Sequence, residues 1–240
     1  MGIIRTAFAS LVLAATAMAA PSPRDARVVV LDPGHGGTNP GTHGAKLHEK
    51  QVTLSLATQV ADRLRAKGIT TVMTRTGDRT LTLRQRVARA DEVPADLFVS
   101  IHANASPTRT QRGFETFVLT PHGVDVDARA LRSDTRTTRP GVPDEIGLVL
   151  DDVERASTQW ESADLAFRMQ RALRDKRGKI GDRGVRQDAH HVLLGATMPA
   201  VLVEVGFLDH PIEGPELGDP AIQAQLADAI AQAITEQLDD

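Results

Sequence analysis

The sequence predicts a single α/β domain built on a twisted, mainly parallel (mixed) sheet with helices on both faces. Three observations carry that expectation. Short apolar, β-branched runs at 28–31, 97–101 and 201–205 alternate with segments whose apolar residues recur every three or four positions, the periods of strand and helix. Each run ends in, or carries, a residue with chemistry to offer: His35 just beyond the first, His102 closing the second, Glu204 inside the third. In open α/β sheets, sites form at the carboxyl ends of the strands. The chain of 240 residues, once a leader is set aside, has room for one such domain with a full core and too little for two.

The leader comes first. Arg5 precedes an apolar, small-residue stretch over 7–20 that finishes Ala17-Met18-Ala19-Ala20, the layout of a signal peptide cut after Ala19 or Ala20. The run falls short of the ~20 residues that span a bilayer, so no transmembrane anchor is expected after cleavage. Export to the periplasm or the extracellular cell envelope follows. Residues 21–26 are a short polar linker, and the folded domain occupies 27–240.

Composition narrows the chemistry. The chain carries 28 basic and 31 acidic residues, a formal charge of −3, which argues against nucleic acid as a partner. It has no cysteine, so disulfides and thiolate ligands are excluded and any metal must be held by His, Asp or Glu. With no tyrosine and only Trp160, a sugar-stacking platform is not expected either.

The first strand stops at Pro33-Gly34, and turn formers follow through Gly44. A helix starts at about Glu49, with Val52, Leu56, Val60 and Leu64 on one face and Lys67-Gly68 as its stop. Residues 69–74 read as a second strand, and Leu83, Val87 and Ala90 mark a short helix before the strand ending at His102. Residues 114–119 alternate as another strand. The segment 120–160 reads as an insertion, with Pro121, Pro140 and Pro143, then an acidic stretch in which Ile146, Val149, Leu150 and Val153 suit one short amphipathic helix. A helix resumes at about Ser162 with Leu165, Met169 and Leu173. Residues 192–194 and 200–205 read as the last strands. Asp219-Pro220 caps a final helix with Ile222, Leu226, Ile230, Ile234 and Leu238 buried.

Taken singly, two of the candidate residues have ordinary explanations. A loop histidine such as His35 is commonly a solvated group, and Glu49 suits a helix N-terminus through the macrodipole. His102 ends a buried strand and is followed by the small, polar Ala103-Asn104-Ala105 of a cleft floor. Glu204 is the strongest, because a carboxylate inside an apolar strand costs several kcal/mol unless it is paired or faces a polar cavity. Together, two imidazoles and a carboxylate form a hydrolytic zinc set with a position left for water, and a further carboxylate can serve as base. The loop after Gly34 is not a dinucleotide fingerprint, since Asn39 stands where the third glycine belongs.

At these residues the chain resembles the zinc-dependent N-acetylmuramoyl-L-alanine amidases of cell-wall remodelling. The likeness rests on Leu31-Asp-Pro-Gly-His-Gly-Gly37, Glu49-Lys50, Thr74-Arg75 with Asp78, Leu83 with Arg86, Asp96-Leu-Phe-Val-Ser-Ile-His-Ala-Asn104, Gly113-Phe-Glu115 and Met198-Pro-Ala-Val-Leu-Val-Glu-Val-Gly-Phe207. The resemblance implies that 27–240 is the catalytic domain, that His35, Glu49 and His102 bind Zn²⁺, and that Glu204 is the catalytic base. It also implies that the substrate is peptidoglycan, cut between N-acetylmuramic acid and L-alanine; a monomer is expected. A zinc exopeptidase and a catalytically silent wall-binding protein are the rival readings.

Two departures from the family's pattern, Asp209-His210 and Leu194-Gly195, bear on substrate detail. The adjacent His190 and His191 read as strand residues pointing to opposite faces and are assigned no role. In some relatives the place of 120–160 is taken by a helix that plugs the site until an activator protein moves it. A cover through Glu145 or Glu154 is therefore an expectation here. Finally, eight Lys and Arg between Arg168 and Arg186 form a basic run suited to steering anionic substrate.

Overall fold

The computed structural model describes residues 27–44, 46–120, 144–188, 192–194 and 196–240, with the backbone alone at 144–152, 154 and 155. The leader, the linker, His190, His191 and the larger part of the insertion lie outside the described residues.

Strands β1 (Val28–Pro33), β2 (Thr70–Met73), β3 (Leu97–Asn104), β4 (Phe114–Leu119), β5 (Asp182–Asp188) and β6 (Ala200–Phe207) form one sheet in the order β2-β1-β3-β6-β4-β5. Four of its pairings are parallel and one, β4 with β6, is antiparallel. Helices α1 (Glu49–Ala66), α2 (Leu83–Asp91), α3 (Asp144–Arg177), α4 (Glu213–Glu216) and α5 (Pro220–Leu238) complete the described elements.

Strand alternation divides the core in two. Val29, Leu31, Val99, Ile101, Val201 and Val203 point to one face, where α1, α3 and α5 cover them. Val30, Phe98 and Leu202 point to the other, packed against Ala90 of α2 and against Val192, Leu193 and Met198. The second cover is smaller, and it leaves open the ends of β3 and β6 that carry His102 and Glu204.

Local signals explain the element ends. The Asp219 side chain accepts from the Ala221 and Ile222 amides, with Pro220 at the first helical position. Thr82 and Gln85 cap α2 reciprocally. Lys67 and Gly68, with φ +80° at the glycine, end α1.

Three expectations are corrected. The short helix expected in the acidic stretch and the helix expected from Ser162 are one helix, α3, of 34 residues. Residues 192–194 are a turn rather than a strand, and their apolar side chains serve as a lid on the α2 face. The strand sits instead at Asp182–Asp188, within the basic run, where pairing with β4 imposes an extended backbone on a segment of low strand propensity.

The direction of α3 also bears on the plug. Ser162 accepts from the Ala200 amide at the start of β6, while Gln170 reaches Phe114 and Thr116 farther along the sheet. Residues 144–161 therefore continue past the end of β6 opposite to the one carrying Glu204. That course speaks against Glu145 or Glu154 covering the site; their side chains lie outside the described residues.

Candidate active site

His35, Glu49 and His102 converge. One ligand-type atom from each lies within 4.8 Å of the others, although the three belong to the loop after β1, the first residue of α1 and the end of β3. The Glu49 carboxylate lies between the rings, with Oε2 3.1 Å from His35 Nε2 and Oε1 2.9 Å from His102 Nδ1. Thr42 N–H donates to Oε2 and Ala103 N–H to Oε1, fixing both oxygens. Burial pushes this carboxyl up, but the hydrogen bonds and charges of His102 and His35 outweigh it and hold Glu49 far below the usual carboxylate range. Burial also works to lower His35, and its contacts with Glu49 reverse the direction, so its pKa is raised.

The loop that carries His35 is tied down by buried polar groups. Asp32 accepts from Thr74 (2.5 Å), Arg86 (2.7 Å) and Ser100 (2.8 Å). Arg86 reaches on to the carbonyls of Pro33 and His35, and Arg75 donates to those of Pro33, Gly34 and Lys50. The carbonyls left free by the turn thus find donors inside the protein, as buried backbone groups must. These contacts account for Thr74, Arg75 and Arg86 in the sequence pattern. Asp78 belongs to the same clamp, receiving Lys50 and the Gly37 amide.

Two glycines make the convergence sterically possible. A β-carbon at Gly34 would lie 2.5 Å from the His102 ring, and one at Gly41, where φ is +69°, would lie 2.5 Å from Glu49 Oε2. Neither position accepts a side chain without moving a candidate ligand.

Glu204 is the register partner of His102 across β3 and β6, and so stands beside the cluster on the same face. It is 9% exposed, and its Oε2 is buried with no hydrogen-bond partner. Burial above all, then the negative charges of Glu49 and Glu115, raise its pKa well above the ordinary value of 4.5. A buried carboxyl oxygen left without a donor is unusual enough to need a reason.

Several residues to which sequence reasoning assigned no catalytic or ligand role shape this site. Asn39 accepts from His35 Nδ1 at 3.0 Å and so turns Nε2 toward Glu49; a polar residue four positions after the histidine was the available signal. Glu115, Arg183 and Arg186 form a cluster beyond Glu204. The departures at Asp209-His210 have structural work: Asp209 accepts from the Ser106 amide, and His210 Nδ1 accepts from the Ile212 and Glu213 amides at the start of α4.

A family model described as N-acetylmuramoyl-L-alanine amidase matches residues 29–236. The chain belongs to that family. It is 34% identical over 217 residues to AmiA of Escherichia coli (strain K12), covering 87% of this chain and 75% of that protein. It is 32% identical over 214 residues to AmiC of Neisseria meningitidis serogroup B, where it spans about half the relative's length, 51%, with 86% of its own. Among solved structures, the catalytic domain of CwlV from Bacillus (Paenibacillus) polymyxa var. colistinus superposes with a TM-score of 0.68 at 32% identity, over 89% of this chain and 98% of that one. Both relatives and the CwlV domain bear the same activity name. The protein is an N-acetylmuramoyl-L-alanine amidase acting on peptidoglycan.

In this amidase four arginines of the basic run are paired with acidic side chains. Arg168 pairs with Asp164 and Asp240, Arg171 with Glu236, Arg174 with Asp182 and Arg177 with Glu216. Exposed pairs of this kind contribute ~0–1 kcal/mol each to stability. No described helix is long and apolar enough to cross a membrane.

Proposed function

We propose that this amidase is a zinc enzyme in which His35, Glu49 and His102 hold the ion and Glu204 is the general base. The bond cut joins the lactyl carbonyl of N-acetylmuramic acid to the amine of L-alanine in the wall, where the leader expected over 1–20 would deliver the protein. The donor set fits the ion. Two imidazoles and one carboxylate are a known catalytic combination, and one ligand-type atom of each lies within 4.8 Å of the others, so the three would hold a divalent ion between them. When bound, zinc supplies Lewis acidity to the scissile carbonyl and acidifies the attacking water.

The chain's own groups do the rest. Asn39 keeps the His35 proton on Nδ1 and leaves Nε2 as a donor atom. The Thr42 and Ala103 amides keep the Glu49 carboxylate aimed. Glu204 Oε2, free of protein partners, takes the proton of the attacking water and returns it to the departing amine. Burial raises the pKa of this carboxyl above the ordinary carboxylate value, which makes it a better proton acceptor than a solvated glutamate.

The observation that carries this reading is the buried, unpartnered Glu204 oxygen beside a His–Glu–His cluster. Its test is Glu204→Gln, assayed for bound metal and for release of stem peptide from purified peptidoglycan. Metal content equal to wild type with turnover reduced by about 10²–10⁴-fold is expected for loss of a general base. Turnover within a few-fold of wild type, or loss of the metal, overturns the assignment of roles.

A further inference from the structure

The register of β4 with β6 sets Glu115 opposite Glu204, so the row of polar side chains that begins at the histidines continues across the sheet by one strand. Glu115 is itself 5% exposed, but unlike Glu204 it is fully engaged. Its Oε1 accepts from Asn104 at 2.9 Å, and its Oε2 accepts from Arg183 Nε at 3.1 Å and Arg186 Nε at 3.2 Å.

Residues three apart on a regular strand point to opposite faces, so Arg183 and Arg186 should not meet on one carboxylate. A bulge resolves this. The β4–β5 register jumps from Phe114 opposite Asp182 to Thr116 opposite Val185, which sets two residues, Arg183 and Gly184, against Glu115 alone. Gly184 takes φ +80°, and its amide is held by Asp182 Oδ1 at 3.0 Å. The extra residue turns both arginines to the face that carries Glu204. Bulges beside active sites commonly re-aim side chains in this way.

The two arginines differ in access. Arg183 lies over the Phe207 ring, 4.9 Å from its centroid, bonds to Gln111, and has a side chain 27% exposed. The side chain of Arg186 is 50% exposed. The trio of Glu115, Arg183 and Arg186 holds one more positive charge than negative, and the excess sits on the open side.

We propose that Arg186, backed by Glu115 and Arg183, is a subsite for a carboxylate on the peptide side of the scissile amide. This rests on the role given above to Glu204. A base that hands its proton to the departing amine has that amine beside it, so the peptide leaves past Glu204 toward β4 and β5. Two strand spacings place the arginines roughly 10 Å from Glu204, the reach of about three extended residues. Stem peptides of the wall bear carboxylates in that span. A guanidinium fork matches a carboxylate in shape and charge, and the bulge sets it on the face that carries Glu204.

The test uses the full chain loaded with metal and a pair of N-acetylmuramoyl peptides, one with free stem carboxylates and one with those carboxylates capped as amides. For wild type, kcat/KM is expected to favour the free acid by about tenfold, the scale of one charge-assisted contact. Arg186→Gln should collapse that ratio to below about twofold through KM, and Arg186→Lys should restore part of it, since it keeps the charge without the fork. A wild-type ratio near one, or a ratio that survives in Arg186→Gln, overturns the subsite and leaves Arg186 a brace for Glu115. Failure of wild type to cut either peptide overturns the hydrolytic reading of Glu204 and the subsite with it.

Discussion

The two ends of the polar row that crosses the sheet are built in opposite ways. At the histidine end, Asp32 and Arg75 are fully buried, and with Arg86 they bind the turn at Pro33-Gly34-His35 through side chain and backbone alike. Gly34 and Gly41 bring the backbone to within contact of His102 and Glu49. At the other end, β5 is the edge strand of the sheet, bulged at Gly184, and its Arg186 side chain is half exposed. The difference is what the two proposed roles require. A metal tolerates only a few tenths of an ångström in its ligand distances, and such positioning comes from over-determined, buried contacts. Recognition of a flexible peptide tolerates more, and an edge strand with solvated arginines supplies it.

Breaking the buried end should have the largest effect. Arg86→Ala leaves the Asp32 charge buried and removes donors from the Pro33 and His35 carbonyls, so unfolding stability is expected to fall by about 3–5 kcal/mol. Chemical denaturation of wild type and variant measures it. A loss below about 1 kcal/mol would mean that the loop is not held by this network, and the contrast between the two ends would fail.

A smaller effect is expected one step out from the ligands. Asn39→Ala frees the His35 ring to rotate and to exchange its proton between nitrogens, so metal affinity should drop by about 10–100-fold with little change in folding. Competition with a chelator reads the affinity. An unchanged affinity would show that the contact of Nε2 with Glu49 is enough to fix the ring by itself.

The same contrast governs what was legible in the sequence. β1, α1 and α5 are read from apolar period and caps, and they stand where those signals put them. The pattern residues Thr74, Arg75 and Arg86 are visible as a pattern, while their purpose, to hold the Asp32 carboxylate and the carbonyls of one turn, appears only once three elements are packed together. α3 was readable in full, since neither Gly nor Pro occurs between Leu148 and Arg177; its acidic start and basic end disguised one helix as two segments. β5 was not readable. A strand with Asp, Gly and two Arg in its first five residues exists because β4 offers a ladder, and the bulge that gathers Glu115, Arg183 and Arg186 depends on a register no single segment encodes.

The most delicate comparison is between Glu204 and its neighbour on the next strand, two carboxylates on one face with opposite treatment. Glu115 has three donors; the Oε2 of Glu204 has none and its pKa is raised. A group whose pKa is higher folded than unfolded stabilises the fold while it is protonated, and that contribution is lost as pH rises from the ordinary 4.5 through the raised value. Gln is a neutral isostere of the protonated acid. With the metal chelated, wild type and Glu204→Gln should therefore match in thermal stability at about pH 4, and wild type should fall behind as pH rises, by at most about 1.4 kcal/mol per pH unit for one proton. Glu49 and His35 contribute their own pH dependence to both proteins, so the difference between the two curves reports Glu204 together with its repulsion from Glu49. Parallel curves to about pH 9 would mean that the carboxylate at this position is as comfortable ionised as in water, and the distinction drawn between it and Glu115 would be lost.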